Sequence, residues 1–308
     1  MRITNGMLIN NMVYNLNQNL KTLEKLQYQQ ATGKKIRVPS EDPIGASKSL
    51  KFNTDISKLE QYKRNTEDAM SWMNDTETAL GEINEVLKRA YELTVDAANG
   101  TKDGEDLIKI KDEIDQLKDH LIQLANTTFS GRHLFSGFNT DKPLLSEDGT
   151  YNIAINSDEV FTYNIGISEK IEVNITGVDV FGVEGSSYDA DSANIGDKPE
   201  LIKIFEDLST ALENNDTNGI QEFIGKIQSS QSHILSVRSK VGAKMNRLEL
   251  TEKKLNLNIN NVKELLSYNE DVDITEVIMD ISMAENVYVS SLMVGAKVIQ
   301  PSLVQFLS

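Results

Sequence analysis

Residues 31–50 read ATGKKIRVPSEDPIGASKSL, and how this stretch folds decides how the helices on either side of it are joined. Gly33, Pro39 and Pro43 crowd into eleven residues, with Ser40, Glu41 and Asp42 between the two prolines. Glycine and proline at this density end a helix. An acidic or hydroxyl side chain just before a proline opens the next one, because it answers the free N–H groups at the positive end of the helix dipole. A phosphate loop is excluded by spacing: Lys35 stands where a Ser or Thr would ligate magnesium, and no glycine lies five residues before Gly33. The stretch is a break between two helices.

Apolar spacing on both sides supports this. Met12, Leu16, Leu20, Leu23 and Leu26 step by four and three, one face of a first helix. After the break, Ile56, Leu59, Met70, Met73, Leu80 and Leu87 fall on one heptad frame that runs to about Ala98, where Asn99-Gly100 stops it. Leu107, Ile110, Ile114, Leu117, Leu121 and Leu124 mark a third helix. Between about Phe129 and Pro199 the period falls to two, in YNIAINSDEVFTYNIG (151–166) and KIEVNITGVDVFG (170–182), which predicts four or five short strands. Heptads then return from Ile227 through Ile234, Val241, Leu248, Leu255 and Ile259 to Leu266, with Gln231, Arg238 and Glu252 as polar members able to set register. A helix over residues 219–267 is about 70 Å long at 1.5 Å per residue. A final helix restarts at Asp271–Asp273 and runs from Ile274 to about Ile299.

The expected fold class is mainly α with a small β insert. Both chain halves build an elongated antiparallel helical coiled-coil rod, a β-rich domain is inserted at mid-chain, and the terminal helices pair at the other tip. The expected division is 1–40 with 272–308 as a terminal helical domain, 41–135 with 198–271 as the rod, and 136–197 as the inserted outer domain.

Charge is placed unevenly along this layout. No charged residue lies between Ile3 and Leu20, and Lys297 is the only one between Asn286 and Ser308. Of the net −16, Arg2 and Lys297 contribute +2, which leaves −18 on residues 21–285. Such a chain is not expected to bind nucleic acid, whose phosphates need a basic face. With no Cys there is neither a disulfide framework nor a thiolate metal site. The N-terminus lacks the apolar core and small-residue cleavage site of a secretory signal. Ser290, Ser291, Gly295, Lys297 and Pro301 interrupt the apolar C-terminus, so no membrane span is expected.

Chemistry is sparse. His120, His133 and His233 are scattered, and DADSAN (189–194) follows a calcium loop for three residues only, because Ala193 and Asn194 replace the next ligand and the required glycine. No nucleophile elbow, zinc helix or dinucleotide turn is present. No catalytic residue, metal site or cofactor is expected, and the chain is not expected to be an enzyme.

Three separated motifs carry a resemblance. QATGKKIRVPSEDPIGASKSL (30–50) resembles the N-terminal signature of the flagellin superfamily, with Thr32, Gly33, Ser40, Glu41, Asp42 and Pro43 as its turn. Pro43 after Glu41-Asp42 is nearer the hook–filament junction branch, the hook-associated protein 3 family, than flagellin itself; Glu41 replaces the commoner Asp. GRHLFSGFNTDKPL (131–144) is similar to that branch's passage from rod to outer domain, and DVDITEVIMDISMAENVYVSSLMVGAKVIQPSLVQFLS (271–308) to its C-terminal helix. The resemblance covers about the first 145 and last 40 residues and leaves the insert unmatched.

The resemblance implies a structural subunit of the bacterial flagellum, exported unfolded through the flagellar type III apparatus without a cleaved signal and located outside the cell. Its implied partners are further copies of itself in a ring, hook-associated protein 1 on the hook side, flagellin on the filament side, and an export chaperone before secretion. The assembly residues would be Met12, Leu16, Leu20 and Leu23 at one end, with Ile281, Tyr288, Leu292, Val298, Leu303, Phe306 and Leu307 at the other. Uncharged ends suit inner packing, because copies can bury them without desolvating charge. Absence of Cys suits passage from a reducing to an oxidising compartment. Residues 1–35 and 274–308 are expected to order only on assembly, since ordering costs about 1–2 kcal/mol per residue in backbone entropy. Flagellin itself is the nearest rival; a signalling coiled coil or a secreted pore-former fits less well.

Overall fold

The computed structural model describes residues 5–99, 104–185, 188 and 190–304, the last seven as backbone only. Its helices are α1 (Asn5–Thr32), α2 (Pro43–Ala98), α3 (Gly104–Ala125), α4 (Gly177–Phe181), α5 (Glu200–Glu213), α6 (Thr217–Glu270) and α7 (Ile274–Val304). Six strands of two or three residues, β1 (Thr128–Phe129), β2 (Arg132–His133), β3 (Ile155–Asn156), β4 (Thr162–Asn164), β5 (Lys170–Glu172) and β6 (Ser192–Ala193), complete it. The chain forms two compact units, Met1–Lys58 with Leu257–Ser308, and Leu59–Asn256; they are called the terminal and the central unit below.

The break at residues 33–42 has the chemistry its sequence predicts. Gly33 closes α1 at φ 69°, its N–H donating to the Gln29 carbonyl at 2.8 Å. This left-handed C-terminal cap is one that glycine adopts at least cost. Asp42 opens α2: its Oδ1 accepts the N–H groups of Ile44 at 3.1 Å and Gly45 at 2.9 Å, with Pro43 as first helical residue. A Cβ on Gly45 would run into the Asp42 carboxylate and the Ile36 side chain, so a larger residue there would push the capping carboxylate aside.

The central unit is built on one core. Met73, Leu80 and Leu87 of α2, Ile114 and Leu121 of α3, and Ile227, Ile234, Val241 and Leu248 of α6 are buried in it, as the heptads predict; Met70, Leu117 and Met245 are half-buried at its margin. Arg238, one of the polar heptad members, pairs with Glu77 of α2 and so fixes α6 against α2 in one register. Helix α5, which no expectation specified, packs on α3 with Leu201, Phe205, Leu208 and Leu212 buried.

The insert is less β-rich than its alternation implies. The strands pair antiparallel and two by two, β1 with β2, β3 with β6, and β4 with β5; only the last two pairs lie within residues 136–197. Val178–Phe181, read as strand, is helix α4. Alternation marks a strand only when one face is wet, and Val178, Val180 and Phe181 are all fully buried. Thr176 instead takes an extended cap position and donates its hydroxyl to Asp179 at 2.8 Å. The irregular backbone is tied by buried side chains: the Tyr151 hydroxyl donates to the Gly182 carbonyl at 2.7 Å, and both Asn174 amide atoms bond the backbone at Glu159 and Phe161.

In the terminal unit α1 and α7 pack on each other. Both segments are helices, and each supplies the other with an apolar partner, the pairing of terminal helices expected from the sequence.

Candidate functional site

The α1–α7 pair and the break beneath it are where the expected assembly residues gather. On α7, Val277, Ile281, Ala284, Tyr288, Ser291 and Gly295 step by four and three and form the less exposed side of the helix. Facing them on α1 are Ile9, Met12, Leu16, Asn19, Leu23 and Leu26, all half-buried. The pairing is antiparallel: Asn19 Nδ2 donates to Ser291 Oγ at 3.3 Å, and a Cβ on Gly295 would collide with the Met12 thioether. A small residue at 295 lets the two backbones close around Met12. Asn19, Ser291 and Gly295 escape a reading that counts apolar residues alone, although they continue the same spacing.

Of the expected assembly residues, Ile281 is buried, Met12, Leu16, Leu23 and Tyr288 are half-buried in the pair, and Leu20 and Leu292 remain exposed. Val298 and Leu303 lie on α7, described as backbone; Phe306 and Leu307 lie outside the described residues. A groove of 610 Å³ runs between the helices over Leu8, Met12, Val287 and Val294, with Asn11, Asn15, Asn286 and two serines along it. More apolar surface stands outside the pair: Val13, Tyr14, Ile278, Met279, Met283, Val289 and Met293 are each 46–64% exposed.

Against expectation, residues 274–297 of α7 are long and apolar enough to cross a membrane by length and composition, with mean hydropathy 1.3 over the best window. The interruptions at Ser290, Ser291, Gly295 and Lys297 are outweighed because the apolar run begins at Ile274 rather than Asn286.

The break itself is a clip between two helix ends. Lys34 and Asp271 pair as an antiparallel bridge, the Lys35 N–H donating to the Glu270 carbonyl at 2.6 Å and the Val272 N–H to the Gly33 carbonyl at 3.0 Å. The Lys34 ammonium lies 2.7 Å from Asp271 and 3.1 Å from Glu270. The hydrogen bond to Asp271 raises the Lys34 pKa above the usual amine value, and the bonds from Lys34 and Ser267 lower that of Asp271 below the usual carboxylate value. Asp273 caps α7, its Oδ1 accepting the Thr275 N–H at 2.8 Å. Within the signature turn, Thr32 donates to the Tyr28 carbonyl at 2.8 Å, and Glu41 accepts the Arg37 N–H at 3.0 Å. Ser40 is exposed. Both breaks have sequence signals, but no local signal joins residue 34 to residue 271.

Two of the three histidines bond within the fold. His133 Nδ1 lies 2.9 Å from the Asn126 carbonyl; His233 Nε2 lies 2.7 Å from the Asp179 carbonyl while its ring stacks on Tyr188 at 3.9 Å. Burial pushes the Tyr188 phenol up to about 12. His120 is exposed on α3. Of the stretch DADSAN, Ser192 and Ala193 form β6; Asp189 is outside the described residues. No group of three His, Cys, Asp or Glu placed to hold a metal occurs among the described residues.

Comparison with known proteins places these features. The model of the bacterial flagellin N-terminal helical region matches residues 3–140, and that of the bacterial flagellin C-terminal helical region residues 224–307, more of the second half than its C-terminal motif suggested. Phase 1 flagellin of Salmonella naestved is 33% identical over 189 residues, 61% of this chain and 35% of that protein, so the chain spans about a third of the length of the curated flagellins it matches. Among solved structures, a flagellar hook-associated protein from Vibrio parahaemolyticus superposes with a TM-score of 0.65 at 21% identity, over 75% of this chain and 99% of that one. FlgL of Bacillus cereus superposes with a TM-score of 0.58 at 25% identity, over 70% and 99%. The two family models take in α1, the clip and α7, and leave the insert outside; the chain belongs to the flagellin superfamily, with the fold of its hook-associated protein 3 members.

Proposed function

We propose that this chain is a structural, non-enzymatic subunit of the bacterial flagellum, forming a ring at the hook–filament junction on which flagellin assembles. The observation that carries this reading is the α1–α7 pair: two helices whose outer ends, residues 5–20 and 286–304, hold a single charged residue, Lys297, and which bury one face on each other and leave apolar side chains exposed outward, on a chain whose middle carries −18. Such surface is stable in water only at a cost and points to further copies or related subunits as its cover. The ring's neighbours would be hook-associated protein 1 on the hook side and flagellin on the filament side. Export through the flagellar type III apparatus, with a chaperone shielding the apolar ends, fits a chain without cysteine. In this reading residues 1–40 with 272–308 form the assembly domain, 41–135 with 198–271 the rod, and 136–197 an outer domain.

Removal of residues 298–308 tests it. The truncated chain should be exported and keep a folded central unit, while cells build hooks without filaments and release flagellin into the medium. Electron micrographs and blots of the medium for both proteins read this out. Normal filaments with the truncated chain at the hook tip would overturn the assignment. The 33% identity to a flagellin favours a second reading, that the chain is itself a filament subunit. In that case loss of the whole chain leaves no other flagellin in the medium.

A further inference from the structure

We propose that Met7, Met279, Met283 and Met293 form an oxidation site at which hydroperoxides switch off the assembly face of the free chain. All the sulfur in this protein is methionine, nine residues with no Cys. Apart from Met1, outside the described residues, these methionines divide sharply by location. In the central unit Met73 is 1% exposed, and Met70 and Met245 are half-buried against the core. In the terminal unit Met12 is half-buried against Gly295, whereas Met7, Met279, Met283 and Met293 are 53–64% exposed.

Their placement is ordered. At 3.6 residues per turn, Met279, Met283 and Met293 fall within an arc of about 80°, centred roughly opposite the seam of Val277, Ile281, Tyr288 and Gly295 that meets α1. Met7 lies at a similar angle from the α1 seam, about 140° from Met12. Met283, at the edge of its arc, borders a groove with Asn19, Thr22 and Leu26 of α1. The exposed thioethers therefore occupy the outward faces and not the contact between the two helices.

The step balances simply. The thioether sulfur attacks the distal oxygen of a hydroperoxide, the O–O bond breaks, sulfur loses two electrons, and the products are a sulfoxide and water or an alcohol. An apolar, flexible side chain becomes polar and chiral. Outward faces carrying such oxygens can no longer be buried dry against another subunit, because a buried acceptor without a donor is unfavourable. The α1–α7 seam is untouched, so the monomer keeps its fold. The consequence for assembly rests on the function proposed above; the selectivity of oxidation does not.

Dilute hydrogen peroxide on the purified full-length chain, followed by peptide mass mapping, tests the selectivity. Gain of one oxygen at Met7, Met279, Met283 and Met293 should be about tenfold or more faster than at Met73; equal rates would overturn the proposal. Addition of treated and untreated chain to hooks from a strain lacking it, followed by flagellin, tests the consequence. Untreated chain should support filament growth, treated chain should not, and methionine sulfoxide reductases should restore it. With Met→Leu at all four positions, growth before and after peroxide should be equal. Equal growth from treated and untreated wild-type chain refutes the switch, as does failure of the reductases to restore growth. Failure of the untreated chain refutes instead the proposed function, and the mapping still decides the site.

Discussion

Apolar residues recur along the helices of both units of this protein and meet opposite outcomes in them. On α6, Ile227, Ile234, Val241 and Leu248 are at most 1% exposed. On α7, Ile278, Val287, Leu292 and Val294 are 44–61% exposed, although this helix is the more apolar of the two. The difference lies in the number of partners. Helix α6 shares a core with α2, α3, α5 and the insert, whereas α7 has α1 beside it, so one stripe is covered and the rest is not. Apolar periodicity states that a face needs covering; it does not state by what.

A charge placed on each kind of face breaks the comparison most directly. Ile234→Asp puts a carboxylate into a fully buried site and should cost the central unit about 3–5 kcal/mol, enough to unfold it or lower its melting temperature severely. Met283→Asp, on the outward face of α7, should leave that melting transition unchanged and abolish assembly on hooks. Equal melting of the two variants would mean that the two faces do not differ.

Hydrogen exchange sharpens the same contrast without mutation. Amides of α3 and of α6 between Ile227 and Leu248 should be protected about a hundredfold or more above those of α1 between Met12 and Leu26. The α1–α7 seam offers partial burial at most positions and full burial only at a few, Val277 and Ile281 among them. Comparable protection in both units would show that pairing alone stabilises the ends, and that assembly adds little order.

Most of this was legible in the sequence, and the exceptions have physical reasons. Helices α1, α2, α3, α6 and α7 follow from three-four spacing and from the stop and start residues at Gly33, Asp42-Pro43 and Asp273. The insert misleads where Val178, Val180 and the adjacent Phe181 are all buried around a half-buried Asp179, since alternation then does not separate a wet face from a dry one. Helix α5 is too short for a heptad frame and was passed over, although Leu201, Leu208 and Leu212 have the right spacing. The α1–α7 seam was half legible, because Asn19, Ser291 and Gly295 sit in it as small or polar members. The clip between Lys34 and Asp271 was not legible at all: a contact across 237 residues leaves no local pattern.

Cap substitutions should have intermediate effects. Asp42→Ala removes the acceptor for two backbone N–H groups at the start of α2 and should cost about 1 kcal/mol. Gly33→Ala should cost a similar amount, since φ 69° disfavours a Cβ even where the surrounding space is open. Both should show in the terminal unit's exchange and leave the central unit's melting transition where it is.

The smallest effect expected is that of pH on the clip, and it isolates the terminal unit from the rest. Lys34 and Asp271 are each about two-fifths exposed, so water screens their pair and its contribution stays under about 1 kcal/mol. The signs are nevertheless definite. Asp271, its pKa lowered chiefly by Lys34 and then by the Ser267 hydroxyl, stabilises the clip above the ordinary carboxylate pKa and loses that contribution as pH falls through its own lower value. Lys34, its pKa raised chiefly by Asp271, stabilises the clip below the ordinary amine pKa and loses that contribution as pH rises through its own higher value. The clip is therefore at full strength throughout the neutral range. Protection factors for the Lys35 and Val272 amides, whose N–H groups make the two bridging bonds, report it locally. They should fall as the solution is acidified below the ordinary carboxylate range. Asp271→Asn should start lower at neutral pH and show a shallower acid limb, with Glu270 left as the carboxylate beside Lys34 at 3.1 Å. An unaltered acid limb in that variant would show that the backbone bridge holds the two breaks together without the charges.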